Sequence, residues 1–165
     1  MHKLLIVTVT ALLYGCATPY QKQGFAGGYS EAQLNTNVFR VSFKGNGYTS
    51  REKAADLALL RSADLALQNG YRYFVIIDKN NYSQNSLYKT PTTSYTNVNV
   101  YGAGNFAYGQ ATTNTYGGNI YNISKPSATN TIICFPERPP NIFSYDAEFI
   151  YNSLATKYKV KPETK

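Results

Sequence analysis

Histidine is all but missing from this chain. The one copy is His2, inside an opening stretch that reads as a removable leader, so the remainder carries none. That excludes Ser-His-Asp and Cys-His nucleophilic catalysis and any histidine-ligated zinc site. Cysteine is almost as scarce. Cys16 and Cys134 are the only two, and a disulfide framework cannot be built if Cys16 serves another purpose. Tryptophan is absent and charged residues make up only 15% of the chain. The net charge of +7 falls by one if the leader takes Lys3 with it. Lys and Arg are scattered singly, with no basic run and no nucleic-acid motif, so the excess does not indicate nucleic acid. It suits lipid headgroups or an anionic wall polymer, or simply a solvated basic surface.

What is abundant is tyrosine, with 16 copies in 165 residues. An apolar ring with a polar tip serves half-buried strands, exposed recognition surfaces and wet interfaces alike. A chain of this length supports one domain with a modest core.

Lys3 is followed by the apolar stretch Leu4 to Leu13, which ends in Leu13-Tyr14-Gly15-Cys16. The stretch has the length of a signal h-region and is too short to span a bilayer. The ending resembles the lipobox of bacterial lipoproteins, with Tyr14 where a small residue is commoner. The resemblance implies that residues 1–15 are a signal peptide and that Cys16 becomes the acylated first residue. Residue 17 is Ala rather than the Asp that commonly retains such proteins in the inner membrane, so the expectation is a lipid anchor in the outer membrane, facing the periplasm. The alternative is an ordinary cleaved signal with an incidental cysteine. Residues 16–36 are polar, with Pro19, Gly24, Gly27 and Gly28, and read as a lipidated tether.

Residues 37–165 read as one α+β domain. Phe39 to Lys44 alternates apolar and polar, which predicts a half-buried strand. Gly45-Asn46-Gly47 turns the chain. Thr49 and Glu52 fit a capping box opening a helix whose stripe is Ala54, Leu57, Ala58, Leu60, Leu65 and Leu67; Asn69-Gly70 stops it. Tyr73 to Asp78 predicts a second, central strand, parallel to the first through a right-handed crossover. Residues 80–130 are rich in Asn, Thr, Tyr, Gly and Ser and nearly free of charge, either a long hairpin with a glycine-rich tip or a disordered insertion. Thr131 to Phe135 is a further buried strand holding Cys134 as an inert core thiol. Ser144 is placed to cap a last helix with the stripe Ala147, Ile150, Tyr151, Leu154 and Tyr158. The order β-α-β, insertion, β-α predicts a small two-layer sandwich, roughly ferredoxin-like.

Gly28-Tyr29-Ser30-Glu31, the run Phe39 to Ser50, Ala58 to Arg61 and Gly70 to Phe74 together resemble a family of proteobacterial lipoproteins of no established activity. The likeness covers about fifty residues, implies the lipid anchor and the βαβ unit, and adds no catalytic residue.

Three features are candidates for function. The turn Gly45, Asn46, Gly47 and Thr49, leading into a helix N-terminus, has the form of an anion site; the competing reading is a tight turn. Glu31, Glu52, Asp56, Asp64 and Asp78 supply carboxylates that a wall-cleaving hydrolase would need in a close pair. The 80–130 insertion offers Tyr95, Tyr101, Tyr108, Tyr116 and Tyr121 as an adaptable contact surface. The expectation is a non-enzymatic interaction or structural module that docks a protein partner in an envelope assembly, with no metal and no cofactor. A peptidoglycan-binding module is the alternative, and a cell-wall hydrolase comes third.

Overall fold

A computed structural model describes residues 17–160. Cys16 and the leader lie outside the described residues. The element order is β1 (Gly28–Asn35), β2 (Val38–Lys44), α1 (Arg51–Gln68), β3 (Tyr73–Lys89), β4 (Thr92–Ala103), β5 (Phe106–Gly117), β6 (Ile120–Phe135), β7 (Tyr145–Asp146) and α2 (Ala147–Tyr158). The chain divides into two compact units: a body, residues 17–84 together with 124–160 of the described chain, and a second unit, Asn85–Ile123.

The ferredoxin-like α+β expectation is overturned. Strand outweighs helix, 53% to 21%, in a five-stranded antiparallel sheet and a separate two-stranded one. The five-stranded order is β1-β2-β6-β3-β7. β2 and β3 are therefore not neighbours; β6 lies between them, bonded antiparallel to β2 from Val38↔Ile133 to Lys44↔Ser127. The cause is strand material that carries little apolar signal. β1 has a buried start and six exposed positions after it, and most of the described length of β3 is exposed.

Where the core lies, pattern and structure agree. In β2, Phe39, Val41 and Phe43 are buried while Arg40 and Lys44 face water, as period-2 alternation dictates. Phe39 and Val41 pack with Ala63, Leu65, Ala66, Phe74, Ile132, Cys134 and Ala147. Phe43 packs with Tyr29, Ala54, Leu57, Ala58, Leu60 and Ala128. Each fully buried large side chain contributes about 1.5–3 kcal/mol. The cap of α1 is Ser50, one residue later than expected; its side chain accepts from the Lys53 N–H at 3.0 Å. The helix closes as a Schellman motif, Tyr71 N–H to Ala66 O at 2.9 Å and Gly70 N–H to Leu67 O at 3.0 Å. Asp146, not Ser144, caps α2, accepting from Phe149 N–H at 3.1 Å.

The tether expectation for residues 16–36 also needs correction. Thr18 is fully buried. Its N–H donates to Thr49 Oγ1 at 3.1 Å, its hydroxyl donates to Ala26 O at 2.9 Å, and that hydroxyl accepts from Asn46 N–H at 2.8 Å. Residues 21–23 bond alongside Tyr29, and Gly28–Asn35 is a strand of the main sheet. The polar composition that suggests a spacer instead feeds hydrogen bonds. Gly27, at φ +96°, leaves no room for a side chain: a Cβ there would meet Lys44 O at 2.3 Å.

Candidate functional site

The second unit centres on the β4–β5 hairpin. Twelve residue pairs run from Thr92↔Gly117 to Ala103↔Phe106, leaving Gly104-Asn105 as a two-residue loop. Gly104 has φ +66°, and glycine at the first loop position is the type II′ signature, whose twist matches that of the strands. Of the two readings open for residues 80–130, the hairpin is the one observed, and the strands on either side of it extend into the same span.

Register sorts the side chains. Residues paired across an antiparallel ribbon share a face, and neighbours along a strand alternate. Tyr95, Tyr101, Tyr108 and Tyr116 therefore fall on one face, together with Asn97, Asn99, Gln110, Asn114 and Phe106. Tyr101 stands directly opposite Tyr108, and the Tyr95 and Tyr116 rings meet edge to face with centroids 6.3 Å apart. The opposite face is small and smooth: Val98, Val100, Ala107, Gly109 and Ala111, plus the hydroxyl pairs Ser94–Thr115 and Thr96–Thr113, each 2.9 Å apart. Every described side chain of β4 and β5 is exposed. From Thr90 to Ser124 there is no charged residue. Tyr121 stands apart from this face, on β6, and is exposed. The sequence reading missed Phe106. The signal for it was the Gly104-Asn105 loop, which fixes the register and hence the parity of every residue beyond it.

The other candidate sites are closed by partners inside the chain. In the Gly45, Asn46, Gly47 and Thr49 turn, the N–H groups of Gly45, Asn46, Tyr48 and Thr49 go to Pro126 O, Thr18 Oγ1, Asn46 Oδ1 and Asn46 O. An anion would find those donors taken, so the anion-site reading gives way to a turn filled by Thr18.

Four of the five carboxylates are likewise committed, and the fifth, Asp78, is exposed and accepts from Asn80 at 2.9 Å. Arg61 is buried; it binds Glu31 through two nitrogens at 2.7 and 2.9 Å, and Asp64 at 2.7 Å. Its guanidinium lies 4.2 Å from the Tyr29 ring centroid, and Tyr20 donates to Asp64 at 2.8 Å. The hydrogen bonds from Arg61 hold the Glu31 carboxyl below its ordinary value. A general acid needs the reverse shift. Burial, then the Asp64 charge, pushes the Tyr20 phenol up. Glu31 lines a pocket of about 290 Å³ with Lys22, Gln23, Tyr29 and Ser30, so the pocket holds a carboxylate already bound to arginine. Lys157 takes Glu52 and Asp56 at 3.0 and 2.7 Å. Cys134 is fully buried, and desolvation pushes its thiol up to about 12, which suppresses the thiolate that nucleophilic or redox chemistry requires. Among the described residues no group of three or more His, Cys, Asp or Glu is placed to hold a metal ion.

No family model, no curated protein and no solved structure matches the chain.

Proposed function

We propose that this chain is a lipid-anchored, non-enzymatic interaction module of the outer membrane, held on the periplasmic side by Cys16, and that the β4–β5 hairpin docks a protein partner in the cell envelope. The observation that carries the reading is the sorting of four exposed tyrosines onto one face of a charge-free ribbon with two open edges. Tyrosine supplies rigid contact area at low entropic cost, while Asn and Gln supply adaptable hydrogen bonds. An open strand edge also offers a row of backbone donors and acceptors for an incoming strand.

The test is a crosslinked capture from native membranes with the intact protein and with the double variant Tyr101→Ser/Tyr108→Ser. Central aromatic anchors typically account for a tenfold or greater loss of affinity each. A defined partner retained by the intact chain and lost with the double variant supports docking. Equal capture by both forms overturns it.

A peptidoglycan-binding module is the second reading, favoured by the same exposed rings, which can stack on sugars, and by the positive net charge. It requires salt-sensitive pelleting with purified peptidoglycan, weakened by the same double variant.

A further inference from the structure

The residues nearest the expected anchor stitch together two turns, each with an exposed aromatic residue at its tip. The first turn is closed by reciprocal bonds, Gly24 N–H to Gly27 O at 3.0 Å and Gly27 N–H to Gly24 O at 3.1 Å. It carries Phe25, the most exposed large hydrophobic residue described, at 112% relative exposure. The second runs from Gly45 to Thr49 and carries Tyr48, at 76%. Thr18 binds both, through Ala26 O in the first and through Asn46 and Thr49 in the second. Phe25 also borders a pocket of about 220 Å³ lined by Lys44, Gly45, Lys125 and Pro126 among others. Those lysines have no ion pair among the described residues, while the carboxylates Glu52 and Asp56 at the start of α1 are taken by Lys157.

We infer that these two turns form a membrane foot: Phe25 enters the headgroup region of an anionic phospholipid bilayer, Tyr48 rests at its surface, and Lys44 and Lys125 meet lipid phosphates. The inference rests on the acylated Cys16 of the proposed function for its geometry. Only Ala17 separates Cys16 from the buried Thr18. The two steps from Cys16 to Thr18 span at most about 7 Å, so an acylated Cys16 would bring the bilayer surface close to the place where the two turns join. A fully exposed Phe is unremarkable alone. Phe25 is joined here by a second exposed aromatic, two lysines that lack an ion pair among the described residues, and the place to which the proposed anchor leads. Aromatic residues and lysines are what an interfacial contact with anionic lipid uses.

The chain has no tryptophan, so Phe25→Trp makes residue 25 its only indole. The full-length gene carrying this change is expressed, and the mature protein is purified from membranes and mixed with vesicles of phosphatidylcholine alone or with phosphatidylglycerol. Mass spectrometry of the N-terminal peptide reports acylation separately. The expected result is a blue-shifted emission quenched by brominated acyl chains. It should be stronger with phosphatidylglycerol and weakened about twenty-five-fold in vesicle affinity by Lys44→Glu/Lys125→Glu, at roughly fivefold or more for each lysine. Should the peptide prove unmodified while the shift with anionic vesicles persists, the foot stands and the anchor falls. An emission that stays that of a water-exposed indole overturns the foot, whether or not Cys16 is acylated. Circular dichroism checks that each variant folds; the three altered side chains are not part of the buried core.

Discussion

The two units of this chain are built on opposite terms. The body buries Phe43, Phe74, Leu57, Leu60 and Ile132 completely, and all charged residues described belong to it except Lys89. The second unit has a hairpin that buries none of its described side chains and carries no charge. A two-stranded ribbon is marginal in water on its own, and what its described side chains add is cross-strand pairs such as Tyr95–Tyr116 and Thr96–Thr113 rather than burial. Burial accounts for the core residues of the body. It does not account for four tyrosines on one face of a ribbon that gains no burial from them. The stability of the chain thus rests on the core of the body, and the proposed docking surface is the hairpin.

The largest expected effect breaks the comparison if it fails. Phe43→Ala should lower the unfolding free energy by about 3–5 kcal/mol, through lost transfer energy plus the cavity left behind. Tyr108→Ala should stay within about 0.5 kcal/mol, as an exposed substitution away from a core does. Urea denaturation followed by circular dichroism measures both. Similar losses at the two positions would mean that the tyrosine face is packed against something in the free protein.

Next in size is the buried cation. Arg61→Met should cost about 3 kcal/mol, because it leaves Glu31 and Asp64 without the charge that compensates their partial burial. The same cluster sets an acid limit. Glu31 is held below its ordinary value of 4.5 in the folded state by the Arg61 hydrogen bonds. Its contribution is therefore present above that ordinary value and is lost as pH falls through the lowered native one. Glu31→Gln should flatten the stability curve on the acid side below about pH 4.5 and leave the hairpin's behaviour unchanged. An unaltered acid limb would assign the acid sensitivity to another carboxylate.

How much of this was legible in the sequence follows the same division. Phe39, Val41 and Phe43 alternate with polar residues, and the stripe of α1 repeats at helical spacing, so the core was readable wherever burial imposes a period. β1 was not. Only its first two residues are buried, and Ser, Glu, Gln and Asn beyond them give no apolar face to detect. The insertion of β6 between β2 and β3 is a long-range pairing that no local pattern encodes. In the hairpin the tyrosines are exposed, but their common face depends on register, and register depends on the Gly104-Asn105 loop. The anion-site reading of Gly45 to Thr49 failed because its N–H groups are met by Thr18 Oγ1, 28 residues before Asn46, by Pro126 O and by Asn46 itself, a closure that spacing alone does not reveal.

Thr18 provides a smaller, local test. Thr18→Ala removes the hydroxyl that donates to Ala26 O and accepts from Asn46 N–H. Leaving such groups without a partner costs about 1–3 kcal/mol where they are buried. Thermal unfolding should show the loss in the body, while the hairpin, which holds neither partner, keeps its exchange rates. No loss of stability would restore the loose-tether reading of residues 16–36.

The smallest effect sharpens the contrast most. Thr96 and Thr113 sit opposite each other with hydroxyls 2.9 Å apart on the smooth face, a cross-strand pair worth about 0.2–1 kcal/mol. Thr96→Ala should speed amide exchange in β4 and β5 by at most about fivefold and leave β2 and α1 unaffected. In the free protein those hairpin amides should already exchange far faster than the amides of β2, since local opening of a solvent-covered ribbon costs little. A bound partner strand should slow them, because its hydrogen bonds and burial add to an opening cost the ribbon does not itself supply. Hairpin amides as protected as those of β2 before any partner is added would mean that the ribbon is covered by its own kind, and the docking surface would then be a self-association surface.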